Sequence, residues 1–142
     1  MSEVQPDEHK IFELLQALHK EIGPKFERCA GMTPTRFRLL QELYRISEIS
    51  QISLQKLLEI DPAAVTRHLK GLEENGMIAR RNNPADNRVT LVSLTSQGRE
   101  HINAYRENKT QFIGDLLAGF NEQERNELAE MLTRLQYNIN VL

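Results

Sequence analysis

Two groups of side chains in the middle of this 142-residue chain have the types and spacing for chemistry on a polyanion. The first is Thr66, Arg67 and Lys70, which follow Ala63 and Ala64 in a stretch opened by Asp61-Pro62. Arginine can pair with guanine edges or with phosphate, threonine can meet a phosphate or a thymine methyl, and lysine can neutralise a phosphate. The two alanines are small enough to let a backbone approach a groove closely. The second group is Arg80, Arg81 and Arg88, with Asp86 two residues before the last. A carboxylate placed there can hold an arginine by charge-assisted hydrogen bonds. A fixed arginine suits entry into a narrow, electronegative minor groove. Ser53, Gln55, Lys56, His68 and Asn87 lie beside these groups and complete the candidate nucleic-acid-binding set. The plainer readings are an amphipathic helix with a solvated polar face and a solvated turn with incidental charges.

The choice depends on the elements that carry these residues. Asp61 followed by Pro62 is a cap with proline at the first helical position, and Val65, Leu69 and Leu72 recur at one face of the helix it opens. That leaves Ala63, Ala64, Thr66, Arg67, His68 and Lys70 toward solvent. Gly76 suits a left-handed stop. Ser53 can cap a short preceding helix, 53–59, with Leu54, Leu57 and Leu58 inward. After Gly76 come two runs of strand character, 77–81 and 89–94, separated by the turn-forming Asn82-Asn83-Pro84-Ala85-Asp86-Asn87. They predict a β-hairpin with a long tip. A short helix, a tight turn, a second helix and a hairpin make a winged helix-turn-helix.

The flanks are helical. Residues 6–29 carry Ile11, Leu14, Leu15, Leu18, Ile22 and Phe26 as one stripe, and Gly23-Pro24 predicts a kink or break. Thr33-Pro34 opens a central helix with Phe37, Leu39, Leu40, Leu43, Tyr44 and Ile46. Thr95 or Ser96 caps a long helix to about 119, and Asn121 caps a last one carrying Leu128, Met131, Leu132, Leu135 and Ile139. The fold class is therefore mainly α with a small β-hairpin wing: a single domain over 1–142, with the winged helix-turn-helix at about 33–95 and dimerisation helices at about 6–30 and 96–142. A lone small winged domain needs neither outer stripe, so the two can bury a shared interface with a second copy.

The stretch from Asp61 to Ile78 resembles the recognition helix of the MarR family. Pro84-Ala85-Asp86-Asn87-Arg88 with Val89 to Leu94, Thr95 and Gly98 resembles that family's wing and the cap after it. Gly31-Met32-Thr33-Pro34-Thr35-Arg36-Phe37 resembles the entry to its second helix. The resemblance implies a winged-helix homodimer on pseudo-palindromic DNA, acting as a repressor relieved by a small molecule or by oxidation. It implies major-groove readout by Ala63, Ala64, Thr66, Arg67 and Lys70, and minor-groove insertion by Arg88 supported by Asp86. Two recognition helices would then lie about 34 Å apart, one turn of DNA.

Composition bounds the rest. Residues 1–52 carry 7 basic and 8 acidic side chains, 53–98 carry 6 and 5, and 99–142 carry 5 and 7. So slight a bias does not argue for nucleic acid. No apolar run approaches the roughly 20 residues that span a bilayer. The opening Met1-Ser2-Glu3-Val4-Gln5 does not read as a secretory signal. A single cysteine points to a reducing cytosol, so the expected location is cytoplasmic. Cys29, after Arg28, invites a redox-sensor reading against that of a small inert residue. Phe37, Tyr44 and Tyr105 can line a crevice for an aromatic or phenolic effector, although aromatics at helical spacing are more often core. His9, His19, His68 and His101 are scattered, so no metal site and no cofactor is expected. There is no nucleophile elbow or phosphate loop, and the adjacent Glu73 and Glu74 do not share a helix face, so no enzyme is expected. The rival to DNA binding is a winged-helix module that binds protein.

Overall fold

The computed structural model describes residues 6–142; the opening residues read above for a leader lie outside them. The elements run α1 (Pro6–Ala30), α2 (Pro34–Arg45), β1 (Ile49–Ser50), α3 (Gln51–Leu58), α4 (Pro62–Glu74), β2 (Ile78–Asn83), β3 (Asp86–Leu94), α5 (Ser96–Leu116) and α6 (Glu122–Asn140). The chain forms two compact units, one up to Lys109 and one over Thr110–Leu142. Helix α5 begins in the first and ends in the second.

In the first unit helices α2, α3 and α4 are set by their caps. Thr33 Oγ1 accepts from Arg36 N at 3.3 Å, with Pro34 opening α2. Asp61 Oδ2 accepts from Ala63 N and Ala64 N at 3.1 and 3.2 Å, with Pro62 opening α4. Both were expected from cap-plus-proline pairs. The cap of α3 is Ser50 rather than Ser53: Ser50 Oγ accepts from Ser53 N at 3.1 Å and donates to Ser53 Oγ at 2.8 Å. Helix α3 thus starts at Gln51, two residues earlier than expected, straight out of a short strand. Its turn faces Leu54 and Leu58 inward and leaves Leu57 52% exposed, against the expectation that Leu57 points into the core. Glu59 closes α3 in the left-handed region at φ 53°, and Arg38 Nη2 donates to the freed Leu58 carbonyl at 3.1 Å.

One core joins these pieces. Leu39, Leu40 and Leu43 of α2, Leu54 and Leu58 of α3, Val65, Leu69 and Leu72 of α4, Ile78 of β2, Val92 of β3 and Ile102 of α5 form a single buried cluster. Each fully buried leucine contributes about 1.5–3 kcal/mol relative to exposure. Gly76 at φ 76° reverses the chain after α4, as its position implied. Thr95 then ties the wing's exit to that reversal: its Oγ1 donates to Gly76 O at 2.7 Å and accepts from Gly98 N at 3.0 Å.

The wing is a three-stranded antiparallel sheet in the order β1-β3-β2, with β1 an addition the sequence did not announce. Ile49 and Ser50 pair with Val92 and Leu91. The expected six-residue tip is not a loop. Strand pairing continues to Asn83↔Asp86, so only Pro84-Ala85 turn. The register jumps between Asn82↔Thr90 and Asn83↔Asp86, so Asn87, Arg88 and Val89 bulge from β3 with no partner on β2.

Helix α1 runs on through Gly23-Pro24, so the break expected as one alternative does not occur. Proline removes one hydrogen bond, and the turns on either side carry the helix across. Much of its stripe is exposed: Ile11, Leu14 and Leu18, with Phe12 beside them, are 45–59% exposed, while Phe26 packs edge-on against Tyr105. In the second unit, α5 stops at Leu116, short of 119. Arg125 donates to the Phe120 and Leu117 carbonyls, and Asn121 with Glu124 forms a capping box that starts α6. No residue of α6 is buried; Met131, Leu132, Tyr137 and Ile139 are all exposed. No helix among the described residues is long and apolar enough to cross a membrane.

Candidate nucleic-acid interface

Helix α4 buries Val65, Leu69 and Leu72 and turns Ala63, Thr66, Arg67 and Lys70 outward, with Ala64 half-buried. Among the described residues no ion pair or hydrogen bond occupies the side chains of Arg67 or Lys70. Lys56 of α3 is likewise exposed and unengaged, beside the exposed Ser53 and half-buried Gln55. The start of α4 is not a vacant anion site. Asp61 takes the amides of Ala63 and Ala64, and Val65 N donates to Asp61 O at 3.0 Å, so these donors are spent inside the protein. The positive end of the helix dipole is thus offset by the helix's own carboxylate. Ala63 and Ala64 are left with small side chains, not backbone donors, as their contribution.

Thr66 is more constrained than its sequence position suggested. Its Oγ1 donates to Pro62 O at 3.0 Å and accepts from Gln51 Nε2 at 3.3 Å. Gln51, which sequence reasoning passed over, also accepts from Arg80 Nη1 at 3.5 Å. Arg80 forms a bidentate pair with Glu73 at 3.0 and 3.2 Å. Arg81 does the same with Glu48 at 2.8 and 2.9 Å. Each arginine draws its carboxylate's pKa below the ordinary value through the hydrogen bond first and its charge second. Both arginines therefore begin engaged with their own chain. No local signal marks Glu48 as a partner, because it lies 33 residues from Arg81.

His68 is half-buried. Its pKa lies below the ordinary 6.5, because burial disfavours the charged ring and because Arg36 and then Arg67 add positive charge nearby. Arg36 reaches α4 as well, since a side chain on Gly71 would run into its guanidinium.

Arg88 stands on the bulge of β3. Its side chain is 91% exposed, while Nε and Nη2 donate to the Asp86 carboxylate at 3.1 and 3.4 Å. Asp86 Oδ1 also accepts from Arg88 N at 3.1 Å. Those bonds hold the Asp86 pKa below its usual range. Asn87, next to Arg88 on the bulge, is exposed.

The other singled-out residues lie elsewhere in the first unit. Phe37 and Tyr105 stack on each other with ring centroids 3.9 Å apart, and Phe26 meets Tyr105 edge-on. Tyr44 lies under the guanidinium groups of Arg99 and Arg106. Cys29 is a free, exposed thiol. Among the described residues no three His, Cys, Asp or Glu side chains group as a metal site would require.

A helix-turn-helix continued by a sheet wing, with free cations on its second helix, defines a winged helix-turn-helix protein. The MarR family model matches residues 32–90. The HTH-type transcriptional regulator YdgJ of Bacillus subtilis is 49% identical over 134 residues, covering 94% of this chain and 82% of the relative. The crystal structure of the YusO protein from Bacillus subtilis superimposes with a TM-score of 0.78 at 26% identity, over 94% of this chain and 99% of that one. A mutant MarR from E. coli complexed with operator DNA shares the fold, with a TM-score of 0.61 at 22% identity over 94% and 99% of the two chains. This chain belongs to the MarR family. It is accordingly a DNA-binding transcription regulator and not an enzyme.

Proposed function

We propose that this protein is a cytoplasmic repressor that binds a pseudo-palindromic operator as a homodimer and is released by a small ligand or an oxidant. One observation carries the reading: Arg67 and Lys70 stand unpaired on α4, in the same unit as an arginine presented on the wing and held by its own aspartate. In this reading Ala63, Ala64, Thr66, Arg67 and Lys70 enter the major groove and Arg88 enters the minor groove. Ser53, Gln55, Lys56, His68, Asn87, Arg80 and Arg81 flank the duplex, the last two through cations already neutralised in part. The E. coli relative with this fold was crystallised with operator DNA, which supports the docking mode.

The exposed stripes of α1 and α6 support the homodimer. Large apolar side chains exposed along both helices call for cover, and a second copy is the occupant that also supplies a two-fold pair of recognition helices. For release, the expected aromatic seat is Phe37, Tyr44 and Tyr105, but Phe37 stacks on the buried Tyr105 and Tyr44 lies under two guanidinium groups; an open hollow bordered by Arg28, Met32 and Arg36 is the alternative seat for a small phenolic effector. The exposed Cys29 lies beside Arg28 and is the candidate oxidant target.

The test is selection of bound sequences from random duplexes with purified protein, paired with sedimentation of the free protein. A two-fold motif and a dimeric mass are expected. Monomers with no salt-dependent affinity for duplex overturn the proposal and favour a protein-binding module. Screening phenolic compounds, and peroxide against wild type and Cys29→Ser, then tests release.

A further inference from the structure

Resting on the proposed docking of α4 in the major groove, we infer that Gln51 and Arg80 are positioning residues that make Thr66 a reader of the thymine methyl rather than a hydrogen-bond donor to DNA. The contacts form a relay in which each donor has one acceptor. Glu73 holds Arg80 by two bonds, Arg80 donates to Gln51 Oε1, Gln51 Nε2 donates to Thr66 Oγ1, and Thr66 donates to Pro62 O. The direction of the relay is forced at both ends. Pro62 O can only accept, so the single hydroxyl proton of Thr66 goes to it. The guanidinium of Arg80 can only donate, so the Gln51 carbonyl faces it and the Gln51 amide faces Thr66.

The consequence falls on recognition. A free threonine hydroxyl on a recognition helix is ambiguous, because it serves purines, pyrimidines and phosphates alike. Here the hydroxyl gives its proton to its own helix and accepts one from α3. The oxygen keeps one lone pair, so it can still accept but can no longer donate to a phosphate or a base acceptor; the methyl of this exposed side chain is left for apolar contact, which selects the C5-methyl of thymine. The relay spans α3, α4 and β2, so the wing and the first helix of the motif help to set what the second helix reads. Arg80 then bears on base reading through Gln51 rather than through a base contact of its own.

The experiment uses full-length protein and the operator obtained by selection, with each thymine replaced singly by deoxyuridine, which lacks the methyl. Affinities are read by fluorescence anisotropy, with thermal melts confirming that each variant is folded. In the wild type one thymine per half-site shows about a fourfold loss on replacement, the size of one buried methyl-sized group. Thr66→Ser, which deletes the protein's methyl, brings that ratio to one. Gln51→Ala and Gln51→Glu, neither of which can donate to the hydroxyl, also lower the ratio toward one. Thr66→Val, which has no hydroxyl to position, keeps the ratio and makes a further Gln51→Ala neutral for it. The inference is overturned if folded Gln51→Ala and Gln51→Glu keep the full thymine preference, or if Thr66→Ser keeps it. Absence of binding to any duplex overturns instead the docking reading on which the inference rests.

Discussion

Replacing Lys70 by alanine tests the interface through the salt dependence of binding. Lys56, Arg67 and Lys70 are exposed cations of α3 and α4 with no partner in the described chain, three per subunit and so six in the proposed homodimer. Arg80, Arg81 and Arg88 face Glu73, Glu48 and Asp86 and release fewer counterions when they approach phosphate. With log K falling by about 0.9 per phosphate neutralised, the slope against log salt is about −5, and a fourfold rise in salt weakens binding roughly 2,000-fold. Lys70→Ala removes two cations from the dimer, which brings the slope to about −3.6 and the same salt step to roughly 150-fold. Anisotropy titrations of operator and scrambled duplex between 50 and 200 mM salt (about the range over which such slopes are measured) read both numbers. The loss is the same on both duplexes, because a phosphate contact carries no sequence information. An unchanged slope in the variant refutes the phosphate contact. A wild-type slope near −11 refutes the discount, because it requires Arg80, Arg81 and Arg88 to leave their carboxylates on DNA.

Three further outcomes are expected. Asp86→Ala frees Arg88 without removing it, so preference for A·T-rich flanks over G·C-rich ones falls while the melting temperature stays put; paired anisotropy on the two flanks checks this. His68 has a folded pKa below its unfolded 6.5, so the unfolded state takes up more protons just under that value and stability drops as pH falls through about 6.5. Melts at fixed protein concentration at pH 7.5 and about 5.5 show this drop in wild type and a smaller one in His68→Gln; equal drops refute the assignment. Gly98→Ala drives a Cβ into the Met77 carbonyl oxygen and Leu94, and because a backbone carbonyl cannot turn aside the cost is about 3 kcal/mol. At roughly 2–4 °C per kcal/mol, calorimetry shows a fall of roughly 6–12 °C.

How far the fold could be read from sequence depended on how local its causes were. Thr33-Pro34, Asp61-Pro62, Asn121 and Gly76 each act within a few residues, and each sits where its local chemistry put it. The pairing of Asp86 with Arg88, two residues apart, was legible for the same reason. What was misplaced came from longer reach. Ser50 and Ser53 are equally good caps in isolation, and pairing of Ile49 and Ser50 with β3 decides for the former. The tip of the wing looked like a loop because Asn82 to Asn87 are turn formers, yet the sheet extends nearly to its end. In the interface, Arg67 and Lys70 stood out by type, whereas the partners of Arg80, Arg81 and Thr66 lie 7, 33 and 15 residues away in sequence. Periodicity carries no information about which solvent-facing groups meet.

The aspartate at the start of α4 has a consequence for how the protein meets its target. Its carboxylate already completes the first turn, so the segment does not wait for an incoming anion to become ordered. Free and bound forms then share one shape there, and little chain entropy is lost at the moment of encounter. Such a rigid probe can sample wrong sites quickly and leave them quickly, with discrimination resting on how long it stays rather than on how it deforms.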